Sequence, residues 1–217
     1  ELRAVETLLA ADDGVVVERW RRRVTDLSVV MVVDPAGCAA DVTVHEVVNT
    51  AAGAFIGALF DAGSAPVAEV RRPLEEAADH VGRRLHRAGY FGPVCLDAFV
   101  WEEGRRRGLR PLCDLNARGH VSAGARALWR RWKGDRVVYW RLFNRRRLEL
   151  PDGGLEVLEA ALGADLFDPE RRHGILPTSP LVLPGGARPS RLSMLMVADD
   201  RAGVEGLEAR FRGRFEG

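Results

Sequence analysis

Two consecutive strand-like segments, residues 94–101 and 109–116, are separated by a charged turn at residues 102–108. Apolar runs joined by a short polar turn predict an antiparallel hairpin. The rest of the chain has a similar organisation, with further strand-like segments on short turns and helical segments between them. This organisation is typical of an α+β fold, so we predict a largely antiparallel sheet with flanking helices.

Apolar periodicity and turn residues predict where the other helices and strands lie along the chain. Residues 66–89 give the clearest helix, with an apolar stripe and Gly89 at its end. Residues 51–65 are rich in Gly and Ala and predict a loop, or a short helix with a loop. Strands are predicted at residues 15–20, 27–34, 39–48 and 192–198, and helices at residues 2–11, 121–133, 155–162 and 200–215.

Composition excludes several classes of partner. The 32 Lys and Arg residues nearly balance 31 Asp and Glu residues, for a net charge of +1, so we expect no binding to nucleic acid or to a membrane surface. Arginine runs near tryptophans could imitate a single-strand platform, but the balancing acids favour solvated faces. No segment has the roughly 20 apolar residues of a membrane span. Three cysteines outside any metal spacing suit free thiols in a reducing compartment, and we expect a cytoplasmic protein.

Acidic and amide side chains on the predicted hairpin indicate chemistry. Asp114 and Asn116 are two positions apart on one strand, so they share a face, and the hairpin can bring Asp97 beside them. Carboxylates and an amide carbonyl are hard oxygen ligands, which suit Mg²⁺ better than Zn²⁺. From the spacing alone, a solvated strand face is an equally good interpretation.

A longer window around these residues resembles a known family. Residues 90–119 (YFGPVCLDAFVWEEGRRRGLRPLCDLNARG) are similar to the metal-binding hairpin of the ATP-grasp superfamily, where an acidic residue on one strand precedes an acidic-x-Asn motif on the next. The helix end at residues 85–90 is similar to the family's lead-in helix. Residues 15–29 (VVVERWRRRVTDLSV) resemble the strand, hinge and following strand that hold adenine and ribose. The resemblance covers roughly residues 1–130.

For the metal, the resemblance implies that Asp97, Asp114 and Asn116 hold the Mg²⁺ ions that bridge the phosphates of ATP, with Mn²⁺ also possible. The chain departs from the family pattern at two of its positions. Asp114 stands where Glu is usual, and Cys95 stands where a phosphate-binding Arg is common. Arg118 could supply the missing positive charge to a phosphoryl oxygen or a substrate carboxylate, and it is our candidate catalytic residue.

For the nucleotide, the resemblance implies a hinge that meets the adenine edge, formed by Glu18, Arg19, Trp20 and Arg21. Trp20 would pack near the base, and Asp26 would bind the ribose hydroxyls. Without the resemblance, Trp20 would be interpreted as a core aromatic and Glu18 as the partner of an arginine.

The family's Gly-rich phosphate loop and its nucleotide-clamping lysines normally precede the hinge. Neither occurs in residues 1–14, and Lys133 is the only lysine. We therefore expect residues 1–133 to be the nucleotide- and metal-binding part of a larger ATP-grasp domain, with residues 134–217 as a C-terminal extension packed on it. The first residue is Glu1, which also suggests a piece of a longer protein. The missing half would come from the same protein or from a partner chain.

The implied activity is Mg-ATP-dependent ligation of a carboxylate to an amine or thiol through an acyl phosphate. The isolated chain is expected to be poorly active. The alternative is a degenerate ATP-grasp-like module that binds nucleotide or mediates assembly without catalysis. His120 and Ser122 follow the metal motif in a Gly-flanked loop, where an acceptor substrate would lie. Strand alternation predicts that Cys113 turns away from Asp114, into the core.

Overall fold

The computed structural model describes residues 17–151 and 153–216. The strands in this part of the chain are β1 (Arg23–Val33), β2 (Ala39–Asn49), β3 (Phe55–Phe60), β4 (Gly92–Glu103), β5 (Arg106–Asn116), β6 (Val137–Asn144), β7 (Gly174–Pro177) and β8 (Arg191–Ala198). Its α-helices are α1 (Ala65–Arg87), α2 (Ala123–Arg131), α3 (Leu155–Leu162) and α4 (Arg201–Phe215). The strands form one sheet in the order β5-β4-β1-β2-β3-β6-β8-β7. All neighbouring strands are antiparallel, which confirms the predicted α+β class.

Strand β1 has one apolar face and one polar face. It pairs with β2 on one side and β4 on the other. Leu27, Val29 and Met31 are buried in the core that contains α1. Each such side chain contributes about 1.5–3 kcal/mol when fully buried, so their burial fixes which face of β1 is turned inward. Because side chains alternate along a strand, Asp26 and Ser28 lie on the opposite face.

Helix α1 covers the apolar face and confirms the prediction for residues 66–89. Ser64 precedes it, and its hydroxyl accepts a hydrogen bond from a backbone N–H of the first turn at 3.3 Å. Leu74, on the apolar stripe, is fully buried. Gly89 follows the helix with φ +84, a conformation that favours glycine. No helix among the described residues is both long and apolar enough to cross a membrane.

Residues after 133 continue the same sheet. β6 pairs with β3 on one side and with β8 on the other. Helices α3 and α4 pack with these strands in a second core, where the rings of Phe143 and Phe211 have centroids 4.6 Å apart. Within this part, Arg141 of β6 forms an ion pair with Glu208 of α4, with Nε and Oε1 2.9 Å apart. The second half of the chain is therefore built around strands that extend the first.

One nearly buried carboxylate connects β2 to two flanking helices. The side chain of Glu46 is 12% exposed. Ser64, at the start of α1, donates its hydroxyl hydrogen to Glu46 Oε1 at 2.5 Å. Arg201, at the start of α4, forms an ion pair with the same oxygen. The helices that cover the two cores are thus linked through a single acid.

Two local predictions are wrong. Residues 17–20 form no strand, and β1 begins only at Arg23; residues 15–16 and the predicted helix at 2–11 lie outside the described residues. Residues 51–65, predicted as a loop or as a short helix with a loop, contain β3. A Cβ atom at Gly57 would lie 2.6 Å from the backbone oxygen of Trp140. Gly57, one of the small residues that suggested a loop, is therefore required by the close approach of β6.

The remaining predicted elements are confirmed, with shifted ends. The strand at residues 27–34 is the inner part of β1, and the hairpin of β4 and β5 pairs as expected. β6 and β7 are additional strands that the pattern does not indicate. The other confirmed elements are β2, β8, α2, α3 and α4.

Candidate functional site

A cavity of about 470 Å³ opens on the face of the sheet opposite α1. A row of polar residues, in register on four neighbouring strands, crosses its floor: His45, Ser28, Asp97 and Asp114. Neighbouring strands are about 4.8 Å apart, so the row extends about 14 Å across the sheet. The alternation that buries Leu27 and Val29 brings the polar side chains of β1 to the cavity.

Asp97, Asp114 and Asn116 lie together at one end of this cavity. Asp97 is directly opposite Asp114, and Asn116 Nδ2 donates to Asp114 Oδ2 at 2.8 Å. Burial raises the pKa of Asp97; the hydroxyl of Ser28, which donates to Asp97 Oδ1 at 3.0 Å, lowers it, and the charge of Asp114 raises it. A cation between the two carboxylates would relieve both unfavourable effects.

The oxygen donors present fit a hard cation whose coordination is completed by substrate oxygens and water. Among the described residues, no group of three or more His, Cys, Asp or Glu side chains is arranged to hold a metal ion. Mg²⁺ is usually held by one or two carboxylates together with phosphate oxygens and water, so a complete protein cage is not required. Asp97 and Asp114 with the amide oxygen of Asn116 match this pattern.

Arg118 lines the cavity beside these residues. Its Nη2 donates to Asn116 Oδ1 at 3.2 Å, and its Nη1 donates to the backbone oxygen of Gly119 at 3.3 Å. The guanidinium therefore lies next to the carboxylates but forms no ion pair with them. It can hold the side chain of Asn116 in place and still offer donors to an anion in the cavity.

Comparisons with known proteins identify the fold. No protein-family model and no curated protein sequence matches the chain. N5-carboxyaminoimidazole ribonucleotide synthetase, in an ADP complex, is similar over 90% of this chain and 50% of its own, with a TM-score of 0.55 and 11% identity. The biotin carboxylase domain of a single-chain bacterial carboxylase is similar over 97% of this chain and 52% of its own, with a TM-score of 0.55 and 14% identity. The chain has an ATP-grasp fold.

The resemblance predicted from the sequence is confirmed at the level of the fold. A third similar structure is the N5-carboxyaminoimidazole synthase of Aspergillus clavatus with ADP and 5-aminoimidazole ribonucleotide. It matches 96% of this chain and 55% of its own at 13% identity and a TM-score of 0.50. The present chain therefore spans about half the length of these ATP-grasp enzymes.

The residues predicted to form an adenine hinge, 18–21, do not line the large cavity. Glu18, Arg19 and Arg21 line a separate depression together with residues of β4 and β5. Glu18 forms an ion pair with Arg110 of β5, as its alternative interpretation predicts. Trp20 is 88% exposed, so it is not part of the core.

Ion pairs hold this segment against the sheet. Arg19 and Arg21 both form ion pairs with Glu103, at 3.1 and 2.6 Å. The guanidinium of Arg21 also lies 4.3 Å from the centroid of the Trp101 ring. These contacts hold the arginine-rich segment against the end of β4, where Glu102 N also donates to the backbone oxygen of Arg22 at 3.0 Å.

Asp26, in contrast, lines the cavity. Its carboxylate accepts hydrogen bonds from Arg23 Nε at 2.6 Å and from Asn49 Nδ2 at 2.7 Å. Both partners also line the cavity, and neither is among the residues predicted for the site. The alternation of β2 puts Thr43, His45 and Asn49 on one face and could have indicated Asn49.

The prediction for Cys113 is wrong, because its side chain lines the cavity with Asp114. The pairing of β4 and β5 is irregular between Asp97 and Phe99, where several residues of β5 oppose one residue of β4. Such a bulge interrupts the alternation of faces. Cys95 also reaches the cavity, where burial raises the pKa of its thiol to about 11.

Proposed function

We propose that this chain is the nucleotide- and metal-binding part of an ATP-grasp ligase, which uses ATP and Mg²⁺ to join a carboxylate to an amine or thiol. The observation that supports this proposal is the convergence of two carboxylates, an amide and a guanidinium at one end of the cavity. Two of the solved structures with the same fold contain ADP. Because this chain spans about half their length, the remaining half would come from the same protein or a partner chain.

The nucleotide is proposed to lie along one face of strand β4. Asp97, Phe99 and Trp101 share one face of the strand, and the first and last are about 13 Å apart. Asp26 is opposite Phe99 in the β1–β4 pairing, between these ends. The phosphates would lie at Asp97, the ribose hydroxyls at Asp26, and the adenine edge at residues 18–21, where the separate depression lies.

The residues at the acidic end have two proposed roles. Bound Mg²⁺ would neutralise charge on the transferring phosphoryl group. Asp97, Asp114 and Asn116 would hold the ion. Arg118, positioned by its hydrogen bond to Asn116, would donate to the negative charge that develops on the phosphoryl oxygens or to the substrate carboxylate.

Calorimetric titration of the full chain with ATP, with and without Mg²⁺, tests the proposal. We expect Mg²⁺ to strengthen ATP binding, and Asp114→Ala and Asn116→Ala to remove this dependence. The matched control is Asp79→Ala, because Asp79 is an exposed carboxylate on α1. If ATP binds equally well with and without Mg²⁺, or if the cavity variants behave like the control, the metal assignment is wrong.

A second candidate function is nucleotide binding without catalysis. Lys133, the only lysine of the sequence, follows α2 and does not line the cavity. This chain therefore supplies no lysine to bind the phosphates there. Cys95, a protonated thiol at neutral pH, occupies a position where the family commonly has arginine. Phosphate release from Mg-ATP by this chain together with the missing half distinguishes the candidates, because only the ligase would then turn over ATP. We expect binding with little turnover by this chain alone, and turnover at ordinary ligase rates would contradict that expectation.

A further inference from the structure

Ser28 is a buried serine of the cavity floor, and its hydroxyl contacts three neighbouring atoms. The residue is 3% exposed and lies opposite Asp97 in the pairing of β1 with β4. Its Oγ is 3.0 Å from Asp97 Oδ1, 3.3 Å from the backbone oxygen of Leu96 and 2.9 Å from Cys95 Sγ. A hydroxyl has a single hydrogen to donate, so Ser28 is the acceptor in at least one of its contacts.

The number of hydrogens assigns a direction to these contacts. The Asp97 carboxylate accepts hydrogen bonds, and a charged acceptor forms a stronger bond than a neutral carbonyl. The hydroxyl hydrogen of Ser28 therefore goes to Asp97, at the shorter of its two oxygen distances. The contact with Cys95 then uses the thiol hydrogen, which Cys95 donates to Ser28. A chain of hydrogen bonds thus runs from Cys95 through Ser28 to one oxygen of Asp97.

This chain of hydrogen bonds occupies one side of the Asp97 carboxylate. Cys95 is buried two positions before Asp97 on β4, so both side chains share a strand face. Its Sγ is 3.9 Å from Asp97 Oδ1, and the sulfur and the Ser28 hydroxyl together crowd that oxygen. Within the described part of the chain, no hydrogen bond or ion pair engages Asp97 Oδ2. Oδ2 is therefore the oxygen that Asp97 has available for a cation.

Asp114, on the facing strand, is also partly engaged by the protein. Its Oδ1 accepts from the backbone N–H of Leu115 at 3.0 Å, and its Oδ2 accepts from Asn116 Nδ2 at 2.8 Å. Each of its oxygens already receives one hydrogen bond from a neighbouring residue. The two carboxylates of the proposed metal end therefore offer a cation few free oxygen positions.

The number of free carboxylate oxygens affects which cation binds best. Mg²⁺ requires near-ideal octahedral geometry at about 2.0–2.1 Å and keeps several waters, so one oxygen from a carboxylate is sufficient. Ca²⁺ takes about six to eight oxygen ligands at about 2.3–2.6 Å and readily uses both oxygens of one carboxylate. A carboxylate with one oxygen held by the protein therefore favours Mg²⁺, and a carboxylate that is free to turn favours Ca²⁺ more.

We propose that Ser28, supported by Cys95, determines the ion specificity of this cavity by holding Asp97 Oδ1, so that the site binds Mg²⁺ in preference to Ca²⁺. This inference deepens the proposed function and rests on its assignment of Asp97 as a metal residue. Ser28 is a positioning residue, because it acts on the ion only through Asp97. Cys95, which stands where the resemblance predicts an arginine, supplies the hydrogen that directs the Ser28 hydroxyl toward the carboxylate.

The test is a calorimetric titration of the full chain with MgCl₂ and with CaCl₂, first without nucleotide and then with ATP present. The measured quantity is the ratio of the dissociation constants of the two ions. A damaged fold weakens the binding of both ions together, whereas altered ligand geometry at Asp97 changes their ratio. We expect the unchanged protein to prefer Mg²⁺, and Ser28→Ala to shift the ratio about tenfold toward Ca²⁺, as expected for one lost hydrogen bond.

Further variants assign the effect to the chain of hydrogen bonds. Ser28→Thr keeps a hydroxyl and should keep the ratio of the unchanged protein. Cys95→Ala removes the thiol hydrogen and should shift the ratio toward Ca²⁺ by less than Ser28→Ala, whereas Cys95→Ser keeps a donor and should not. The matched control is Ser193→Ala, because Ser193 is a buried serine of β8 outside the cavity. If the Ser28 variants do not fold, the two Cys95 variants decide.

Several outcomes overturn the role of Ser28: equal binding of the two ions by the unchanged protein, an unchanged ratio in Ser28→Ala, or a proportional loss of both ions. If ATP binding depends on Mg²⁺ but the ratio does not respond to Ser28, this inference fails and the proposed function stands. If the ratio responds without nucleotide but ATP does not bind, the proposed function fails and this inference stands. Absence of binding of either ion, with and without ATP, rejects both.

Discussion

Asp97 and Asp114 lie directly opposite each other on β4 and β5. Like charges at such positions destabilise a sheet, and burial together with the charge of Asp114 keeps the pKa of Asp97 raised even though Ser28 donates a hydrogen bond to it. Mutual repulsion in the protein without metal is the expected property of a pair that is arranged for a cation. At the proposed ion-binding position, the repulsion lowers the stability of the fold without metal.

Replacement of one carboxylate should separate stability from ion binding. Asp97→Asn removes the repulsion and the buried charge, so we expect the melting temperature without Mg²⁺ to equal or exceed that of the unchanged protein. The increase of melting temperature on adding Mg²⁺ should disappear. Thermal unfolding followed by circular dichroism measures both effects. Asp79→Asn on α1 is the control and should retain the Mg²⁺ effect; loss of stability in Asp97→Asn without metal would contradict the repulsion.

Acid should destabilise the protein through His45. Burial lowers its pKa to about 3, whereas the unfolded chain takes up the proton near pH 6.5. The stability is fully present above that pH, and it declines as the pH falls toward about 3, by about 1.4 kcal/mol per pH unit. His45→Gln should reduce the slope by this amount in urea unfolding at a series of pH values.

Other groups of the cavity modify this dependence in known directions. His120, with its pKa lowered to about 4, adds a slope of the same sign. Asp97, with a raised pKa, contributes the opposite sign, because its native carboxyl binds a proton where the unfolded one is ionised. The comparison of His45→Gln with the unchanged protein cancels both contributions. His80→Gln should keep the original slope, and an unchanged slope in His45→Gln would show that His45 titrates normally.

The sequence predicts the hairpin, α1 and the shared face of Asp114 and Asn116 because each depends on local periodicity. Residues two apart on a strand, or three to four apart on a helix, share a face whatever the rest of the chain does. The family resemblance then predicts the ATP-grasp fold that the solved structures confirm. Features that depend only on residues close in sequence can therefore be predicted without a structure.

The other end of the cavity could not be predicted in this way. His45 reaches the row of polar residues only through its register with Ser28, and His120 reaches His45 only because its loop returns over β2. Both contacts join residues that are distant in sequence. The bulge that turns Cys113 into the cavity is likewise a property of strand pairing and leaves no periodic signal.

The three cysteines provide a chemical test of the cavity. Cys38 and Cys113 are exposed, whereas Cys95 is buried with its pKa raised to about 11. Because the thiolate is the reactive form, we expect a disulfide reagent to label Cys38 and Cys113 in the native protein and Cys95 only on unfolding. Mg-ATP should slow the labelling of Cys113, which lines the cavity. Mass spectrometry of the peptides assigns each rate, and Cys38, outside the cavity, is the internal control. Equal protection of both exposed thiols would indicate a general effect on the fold.

Substitution of Gly57 tests the close packing of β3 on β6, which is why a glycine occupies a strand that the sequence did not predict. A Cβ atom at this position would lie 2.6 Å from the backbone oxygen of Trp140 and 2.9 Å from a ring carbon of Tyr139. The backbone oxygen cannot move without disturbing β6, so we expect Gly57→Ala to destabilise the protein by about 1–3 kcal/mol in urea unfolding. Gly213→Ala on α4 is the control. Nothing lies within 4 Å of its added methyl group, and the helix should be stabilised by up to about 1 kcal/mol.

The same substitution should show how the two halves of the sheet depend on each other. β3 connects β2 to β6, so a clash at Gly57 acts where the strands of the first half meet those of the second. Hydrogen exchange in Gly57→Ala should therefore quicken first at the amides paired between β3 and β6, with β1 and β4 still protected. Uniform acceleration across the sheet would mean that the halves unfold as one cooperative unit, and that the cavity cannot persist once β6 separates.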